Sequence, residues 1–385
     1  MKVLSVVVSL DPVLGGTQAA ATQMMRATQR AGVSNTVVAA ATPAARERAG
    51  AYVRRLEADG VEVKQFPAIR WLPGADKLGV SLAAMPWLAR RAGGYDLIHL
   101  HGVWGLTLLA ALAAARVRGV PVVVTPHESL TAIDIDTSQD ATRRRLKLAL
   151  RALYLRWTSV FVVNSQLEAD TSVAEVSAHR VNIAYHPVVE HDTPHAQPRP
   201  RGADERLRVG FLGRLHPKKN LDLVIDAIAR LPDHVELVVA GGGPLLERMQ
   251  RHAERRGVKE RVEWLGFVSP DERTQFLERI DVLVMPSTFE SFGMSAAEAM
   301  LEGVPVIVSE ATGIAEVIRR HSAGVVVPPD VASVAAAIER LDGDRGALAA
   351  LAVAGPQAVR DELSLERVGT SLREAYERAL AIGAA

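Results

Sequence analysis

The chain contains no cysteine. Disulfides and thiolate metal centres are therefore excluded, and the composition suits a reducing compartment such as the cytoplasm. An excess of either charge is missing too: 45 basic residues face 44 acidic ones, a net charge of +1. Bulk electrostatic capture of nucleic acid requires a marked basic excess, so a nucleic-acid partner is not expected. No stretch approaches the ~20 apolar residues that cross a bilayer. The opening run Met1-Lys-Val-Leu-Ser-Val-Val-Val-Ser-Leu10 is short and β-branched, and a Gly-Gly turn follows it. It reads as a first buried strand rather than a signal peptide. The dinucleotide fingerprint GxGxxG is also absent after this strand.

What is present is length and rhythm. With 385 residues, 48% of them hydrophobic, two domains of roughly 150–200 residues are the natural division. Short apolar runs alternate with helical patterns, which predicts α/β domains with parallel sheets. The first half offers strands at Lys2–Ser9, Asn35–Ala40, Val61–Phe66, Asp96–His101, Val120–Thr125, Val160–Asn164 and Asn182–His186. The second offers Arg208–Gly213, Glu236–Ala240, Val262–Gly266, Asp281–Met285, Pro305–Ser309 and Gly324–Val327. Between them a proline-rich, aperiodic stretch reads as a linker. The expected organisation is residues 1–190, a linker over 191–206, a second domain over 207–363, and a closing amphipathic helix within 364–383.

The most informative segment is Pro286-Ser-Thr-Phe-Glu-Ser-Phe-Gly-Met-Ser-Ala-Ala-Glu-Ala-Met300. It lies between an apolar strand and a helix, with Gly293 at the handover. Unpaired N–H groups and the macrodipole make such a helix start favourable for an anion. Glu290 and Glu298 flank it, and carboxylates there can accept hydrogen bonds from sugar hydroxyls. A second handover, Gly213-Arg-Leu-His-Pro-Lys-Lys-Asn220, puts Arg214 and Lys219 at the carboxyl end of a strand, where open α/β sheets bind ligands. A guanidinium and an ammonium there suit a diphosphate and its departure as a leaving group. The adjacent Lys218 is read as solvated.

Together, Gly213-Arg-Leu-x-x-x-Lys219-Asn220, Glu290-x7-Glu298 and Ala299-Met300-x-x-Gly303-x-Pro305-Val306 resemble family 4 of the retaining glycosyltransferases. The resemblance implies the GT-B architecture, two Rossmann-like domains facing across a cleft, with the closing helix packed back on the first domain. It further implies that Arg214 and Lys219 bind the donor pyrophosphate, Glu290 lies against the transferred sugar, and Glu298 holds the ribose. Backbone N–H groups of Phe292, Gly293 and Met294, and the N–H or hydroxyl of Ser295, would meet phosphate and sugar. Gly241 and Gly242 would sit near the nucleoside, and the backbones of Phe267 and Val268 would read the base. His127 resembles the histidine that contacts the donor sugar. The chain departs from the pattern in carrying Glu128 after that histidine and one glycine in Thr312-Gly313-Ile-Ala-Glu316.

Other features carry alternatives. Gly15 and Gly16 let backbone approach a phosphate or acceptor, or form a plain turn. His101, Trp104 and Glu128 are acceptor-side candidates, although packing also suits Trp104 and solvent also suits Glu128. His99 alternates with apolar neighbours and reads as a core histidine. Asp134-Ile-Asp136 and Asp342-Gly-Asp344 mimic a metal-binding triplet outside its proper context, so no metal or other cofactor is expected. In the basic stretch Arg143 to Trp157, helical spacing puts Leu146, Ala149, Leu150, Leu153 and Trp157 on one face, opposite Arg144, Lys147 and Arg151. That face packs inward, or the helix docks weakly on an anionic membrane.

The function expected is metal-independent, retaining transfer from a nucleoside-diphosphate sugar to a hydroxyl on a glycan, a lipid-linked acceptor or a small molecule. Polysaccharide or glycolipid synthesis is the expected setting. Three alternatives stay open at this point: an epimerase, a synthase or phosphorylase of the same fold, and a non-catalytic sugar-nucleotide binder.

Overall fold

The computed structural model describes residues 1–69, 79–136, 140–188 and 206–384. They form two compact units: Met1–Pro187 with Ser364–Ala385, and Val188–Leu363. Almost all of the stretch read as a linker, and the beginning of Arg143's upstream loop, lie outside the described residues.

The first unit is built on seven strands: β1 (Lys2–Val7), β2 (Ser34–Ala41), β3 (Glu62–Pro67), β4 (Leu97–His101), β5 (Val122–Thr125), β6 (Val160–Val163) and β7 (Val181–Ile183). All neighbours pair in parallel, in the order β3-β2-β1-β4-β5-β6-β7. The second unit has β8 (Leu207–Leu212), β9 (Val235–Ala240), β10 (Val262–Gly266), β11 (Val282–Met285), β12 (Val306–Ser309) and β13 (Val325–Val327). Its order is β10-β9-β8-β11-β12-β13, again all parallel. Central strands here read VLVM and VIVS and are buried throughout. Such runs arise because helices cover both faces of a parallel sheet. In each sheet the chain reverses direction beside its first strand, between β1 and β4 and between β8 and β11. Loops from two neighbouring strands splay apart there, which opens a crevice at their carboxyl ends.

All thirteen expected strands are present, with shifted ends. The largest shift is in β7, which stops at Ile183 instead of His186. Pro187 follows, and the residue before a proline is biased by steric clash while proline itself brings no N–H to a ladder. The last helix, Leu365–Ala384, packs on Gly16–Arg30 and against β4 to β7. Val368, Leu372, Ala375, Tyr376 and Ala379 join Val3, Leu97, Val123, Val160 and Val162 in one buried cluster.

The basic helix, Ala141–Trp157, corrects the expected facing. Leu146 and Leu148 are 59% and 40% exposed, while Lys147 and Arg151 turn inward. Lys147 Nζ bonds Asp134 Oδ2 at 2.9 Å and its carbonyl at 2.8 Å. Arg151 pairs with Glu175 and donates to the carbonyls of Leu130 and Ser172. Specific acceptors on neighbouring elements draw Lys147 and Arg151 inward, while Leu153 and Trp157 of the expected face do pack against the core.

Candidate functional site

In the second unit the loops after β8 and β11 are tied together. Asn220 Nδ2 donates to the Pro286 carbonyl at 2.8 Å, and Thr288 N–H donates to the Lys218 carbonyl at 2.9 Å. This brings Lys219 onto Glu290, whose carboxylate it bonds directly. The pair is largely shielded, with side chains 16% and 17% exposed. Arg214 stands nearby, exposed, and has no protein hydrogen bond among the described residues. The crowding of Arg214, Lys218 and Lys219, after the larger effect of burial, holds the His216 imidazole below its usual range. Lys218 is half-buried rather than solvated, so that expectation is corrected.

The loop carrying Glu290 is pinned from its other side. Glu290 N–H donates to Ala311, and Gly313 and Ile314 N–H donate to the carbonyls of Glu290 and Phe292. The helix Met294–Leu301 then begins at Gly293 with no side-chain cap. Gly293 has φ 107°, and a Cβ there would come within 2.7 Å of Met285 Cε and 2.9 Å of Thr312 Cγ2. Glycine is thus demanded by both backbone and space. This helix starts four residues after Glu290, in the loop that follows β11. The Ser295 hydroxyl is directed to Met285 Sδ at 3.5 Å.

The loops after β9 and β10 adjoin the loop after β8. Gly213 N–H donates to Ala240, Leu215 N–H to Gly242, and Gly241 N–H to Gly266, drawing three loops into contact. A Cβ on Gly241 would lie 1.9 Å from the Gly213 carbonyl oxygen. Gly242 lies beside Phe267, whose ring is 81% exposed; Val268 is half-buried. Glu298, on the adjacent helix, accepts from Arg273 Nη1 at 2.9 and 3.0 Å. Burial raises its carboxyl while Arg273 opposes the rise.

In the first unit Gly15 (φ 110°) and Gly16 follow β1 and open the helix Gly16–Arg30. A Cβ at either would meet nothing within 4 Å, so space rather than packing surrounds them. Four histidines line the ends of β4, β5 and β7. His99 is core, as read: its Nδ1 is 2.7 Å from the Tyr376 hydroxyl and its Nε2 2.8 Å from Thr125 Oγ1. His101, His127 and His186 continue a column of rings, with centroids 4.0 Å (His99–His101), 6.0 Å and 5.4 Å apart. Among the described residues, both ring nitrogens of His101 and of His127 have no protein partner. Burial lowers all four; His99 falls to about 3 and His127 to about 4.

His127 and Glu128 both adopt positive φ, 49° and 69°, a strained conformation for side-chain-bearing residues. Glu168 holds that turn. Fully buried, it accepts Glu128 N–H and Asn164 N–H, each at 2.7 Å. Burial pushes its carboxyl up to about 7. Trp104 packs at the edge of the core and donates to Asp134 Oδ2 at 2.9 Å. Asp134 is thereby shared between Trp104 and Lys147, while Asp342 faces His234 and Asp344 caps Ala347. Among the described residues no three His, Asp or Glu side chains are grouped to hold a metal ion.

Sequence reasoning missed Glu168, His186 and Arg273. Ser165-x-x-Glu168 did carry a capping-box signal, and Ser165 Oγ does accept Glu168 N–H at 3.0 Å. The Glu168 side chain, however, is turned to Asn164 and Glu128 instead of the cap itself.

Residues 195–357 match the family described as Glycosyl transferases group 1, and residues 15–188 that described as Glycosyl transferase 4-like domain. The chain is also 30% identical over 312 residues to a 2-deoxystreptamine glucosyltransferase of Streptomyces kanamyceticus, spanning 76% of this chain and 79% of that protein. The chain belongs to the group 1 glycosyltransferases. A D-inositol 3-phosphate glycosyltransferase of Streptomyces bingchenggensis is 29% identical to this glycosyltransferase over 322 residues, 76% of this chain and 69% of that one. The structure of Anabaena Alr3699/HepE, determined with UDP and glucose, superposes with a TM-score of 0.74 at 21% identity, covering 97% of this chain and 98% of that one. The two parallel-sheet, Rossmann-like units of this glycosyltransferase are those of the GT-B fold. None of its described helices is long and apolar enough to cross a membrane.

Proposed function

We propose that this glycosyltransferase moves a sugar, with retention and without a metal, from a nucleoside diphosphate to an acceptor hydroxyl. The observation that carries the reading is the Lys219–Glu290 pair beside Arg214 and the uncapped start of Met294–Leu301. A diphosphate entering there takes over Lys219, and Glu290 is released to accept from a sugar hydroxyl. Arg214, Lys219 and the helix N–H groups supply fixed positive charge where negative charge grows on the leaving group. That role is what a metal serves in other transferases.

No residue stands out as a covalent nucleophile, so the favoured course is front-face substitution. The departing phosphate takes the acceptor proton, the new C–O bond forms on the face the phosphate leaves, and anomeric configuration is kept. His127, whose ring nitrogens have no partner among the described residues, is assigned to a donor-sugar hydroxyl, Gly15 and Gly16 to the donor, and His101 and Glu128 to the acceptor side. UDP is the first nucleotide to try, because the Anabaena neighbour was solved with it. A polyhydroxylated acceptor, free or within a glycan or lipid, fits the names of the relatives. Exposed Leu146 and Leu148 beside Arg143 and Arg145 support weak, salt-sensitive membrane contact for a lipid-linked acceptor.

A thermal-shift panel of UDP-, GDP-, ADP- and TDP-sugars in EDTA tests this. A ligand at a hundred times its Kd adds about 2.7 kcal/mol. One nucleotide series is expected to stabilise the protein and to lose that effect in Arg214→Ala. Stabilisation that requires added divalent cation overturns metal independence, and no response to any series overturns the donor site.

A further inference from the structure

The two carboxylates of the Glu290-x7-Glu298 motif each have their own cation, and the second of these has no role so far. Arg273 lies one turn into the helix Pro270–Arg279, whose start is locked by a capping box between Ser269 and Glu272. That helix emerges from the Gly266–Val268 loop. It carries the chain from β10, at the sheet edge, past β9 and β8 to β11, and Arg273 extends to Glu298 and bonds both its oxygens through one nitrogen. The Glu298 side chain is 26% exposed and Arg273 41%.

We propose that Arg273 is a positioning residue for ribose recognition: it holds Glu298 turned so that both carboxylate oxygens accept from the vicinal ribose hydroxyls. The proposal rests on the reading of Glu298 as the ribose ligand. Its logic is a count of lone pairs. An ionised carboxylate offers about four acceptor sites. Arg273 Nη1 takes one on each oxygen, which leaves one on each for the two hydroxyls of a cis-diol. A protonated carboxyl accepts one hydroxyl and presents an O–H to the other, so the match to a diol is lost. Glu298 needs help to stay ionised because it is desolvated.

The other charges near by do not supply that help. Glu272 on the same helix is turned to Ser269, and Lys219 is engaged by Glu290. Glu302, one turn along from Glu298, is itself raised by burial and by Glu278. Among the described residues Arg273 is the charge that acts on Glu298. A second consequence follows from its position. The helix that carries Arg273 also carries the loop assigned to the base, so one rigid element sets both base and ribose contacts.

The test uses the full chain, with UDP and 2′-deoxy-UDP as probes, or the ribo/deoxy pair of whichever base the panel selects. Calorimetric Kd values are taken from pH 6 to 9 for wild type, Arg273→Leu, Arg273→Lys and Glu298→Gln. Wild type is expected to prefer the ribonucleotide by about tenfold or more, the value of one good hydrogen bond to a charged group, with little pH dependence. Arg273→Leu is expected to lose most of that preference, with any recovery confined to the high-pH end, because burial raises the unpartnered Glu298 carboxyl. Arg273→Lys is expected to restore most of the preference at neutral pH, and kcat at saturating donor is expected to stay near wild type. An equal loss at every pH, with the ribose preference intact, overturns the proposal and leaves Arg273 a cross-link between helices. Unchanged binding in Arg273→Leu overturns it as well. If wild type and Glu298→Gln bind both probes alike, the ribose reading itself is what has failed.

Discussion

Lys219 and Glu290 are 71 residues apart in the chain and hold each other because the strands that precede them are neighbours in the sheet. Removing the ammonium takes away a charge contact that strengthens as the phosphate leaves. Lys219→Ala is therefore expected to cost roughly 2–4 kcal/mol of transition-state stabilisation, a rate loss of about 30- to 1,000-fold. Initial-rate kinetics decide it, and a near-normal kcat refutes the assignment. Gly241→Ala acts through structure instead. Its methyl would be driven into the Gly213 carbonyl, so a loss of about 1–3 kcal/mol is expected in denaturant unfolding. Arg214, Lys219, Glu290 and Glu298 were legible in the sequence because each abuts a strand-to-helix handover marked by glycine. Arg273 and Glu168 were not. Arg273 meets its partner 25 residues away with no motif between them, and Glu168 bonds backbone N–H groups, whose positions no side-chain pattern records.

At the scale of elements, hydrophobic runs located all thirteen strands, since a strand buried on both faces must be apolar along its length. Helix faces were less legible. In the basic helix Lys147 and Arg151 follow Asp134, Glu175 and two backbone carbonyls at the expense of Leu146 and Leu148, and those acceptors are set by tertiary structure. The last helix shows the opposite case, where a polar contact completes an apolar seam. Tyr376 reaches from it to His99 on β4. Tyr376→Phe leaves the ring in place but strips a buried imidazole nitrogen of its partner, so unit stability is expected to fall by about 1–3 kcal/mol. Equal denaturation midpoints for the two proteins would show that the hydrogen bond adds nothing.

At the scale of the molecule, the histidine column predicts acid sensitivity of the first unit. His99, His101, His127 and His186 are all held neutral by burial, below their unfolded value. Their folded pKa values are depressed, so the stability they permit is full above about pH 6.5 and is lost as pH falls towards the folded values. His99 and His127 each cost roughly 2 kcal/mol between pH 7 and pH 5, because only the unfolded chain takes up the proton, and His101 and His186 act in the same direction. Glu168 works in reverse. Raised to about 7, it favours folding more as pH drops and offsets about one histidine. A net loss of several kcal/mol is expected, read as a clear fall in the urea midpoint of the first unit from pH 7 to pH 5. A midpoint that stays level would mean that the column is hydrated or charged.

The chain's path between its units bears on how the protein is made. The second unit is encoded without interruption from Val188 to Leu363, but the first takes its last layer from Ser364–Ala385. On the ribosome, the segment synthesised first is thus the one completed last. While the middle of the chain emerges and folds, the surface formed by Val3, Leu97, Val123, Val160 and Val162 awaits Val368, Leu372 and Tyr376. A nascent or prematurely terminated chain exposes that apolar face, which makes it a substrate for chaperones and proteases. Synthesis of Ser364–Ala385 is then what closes the first unit.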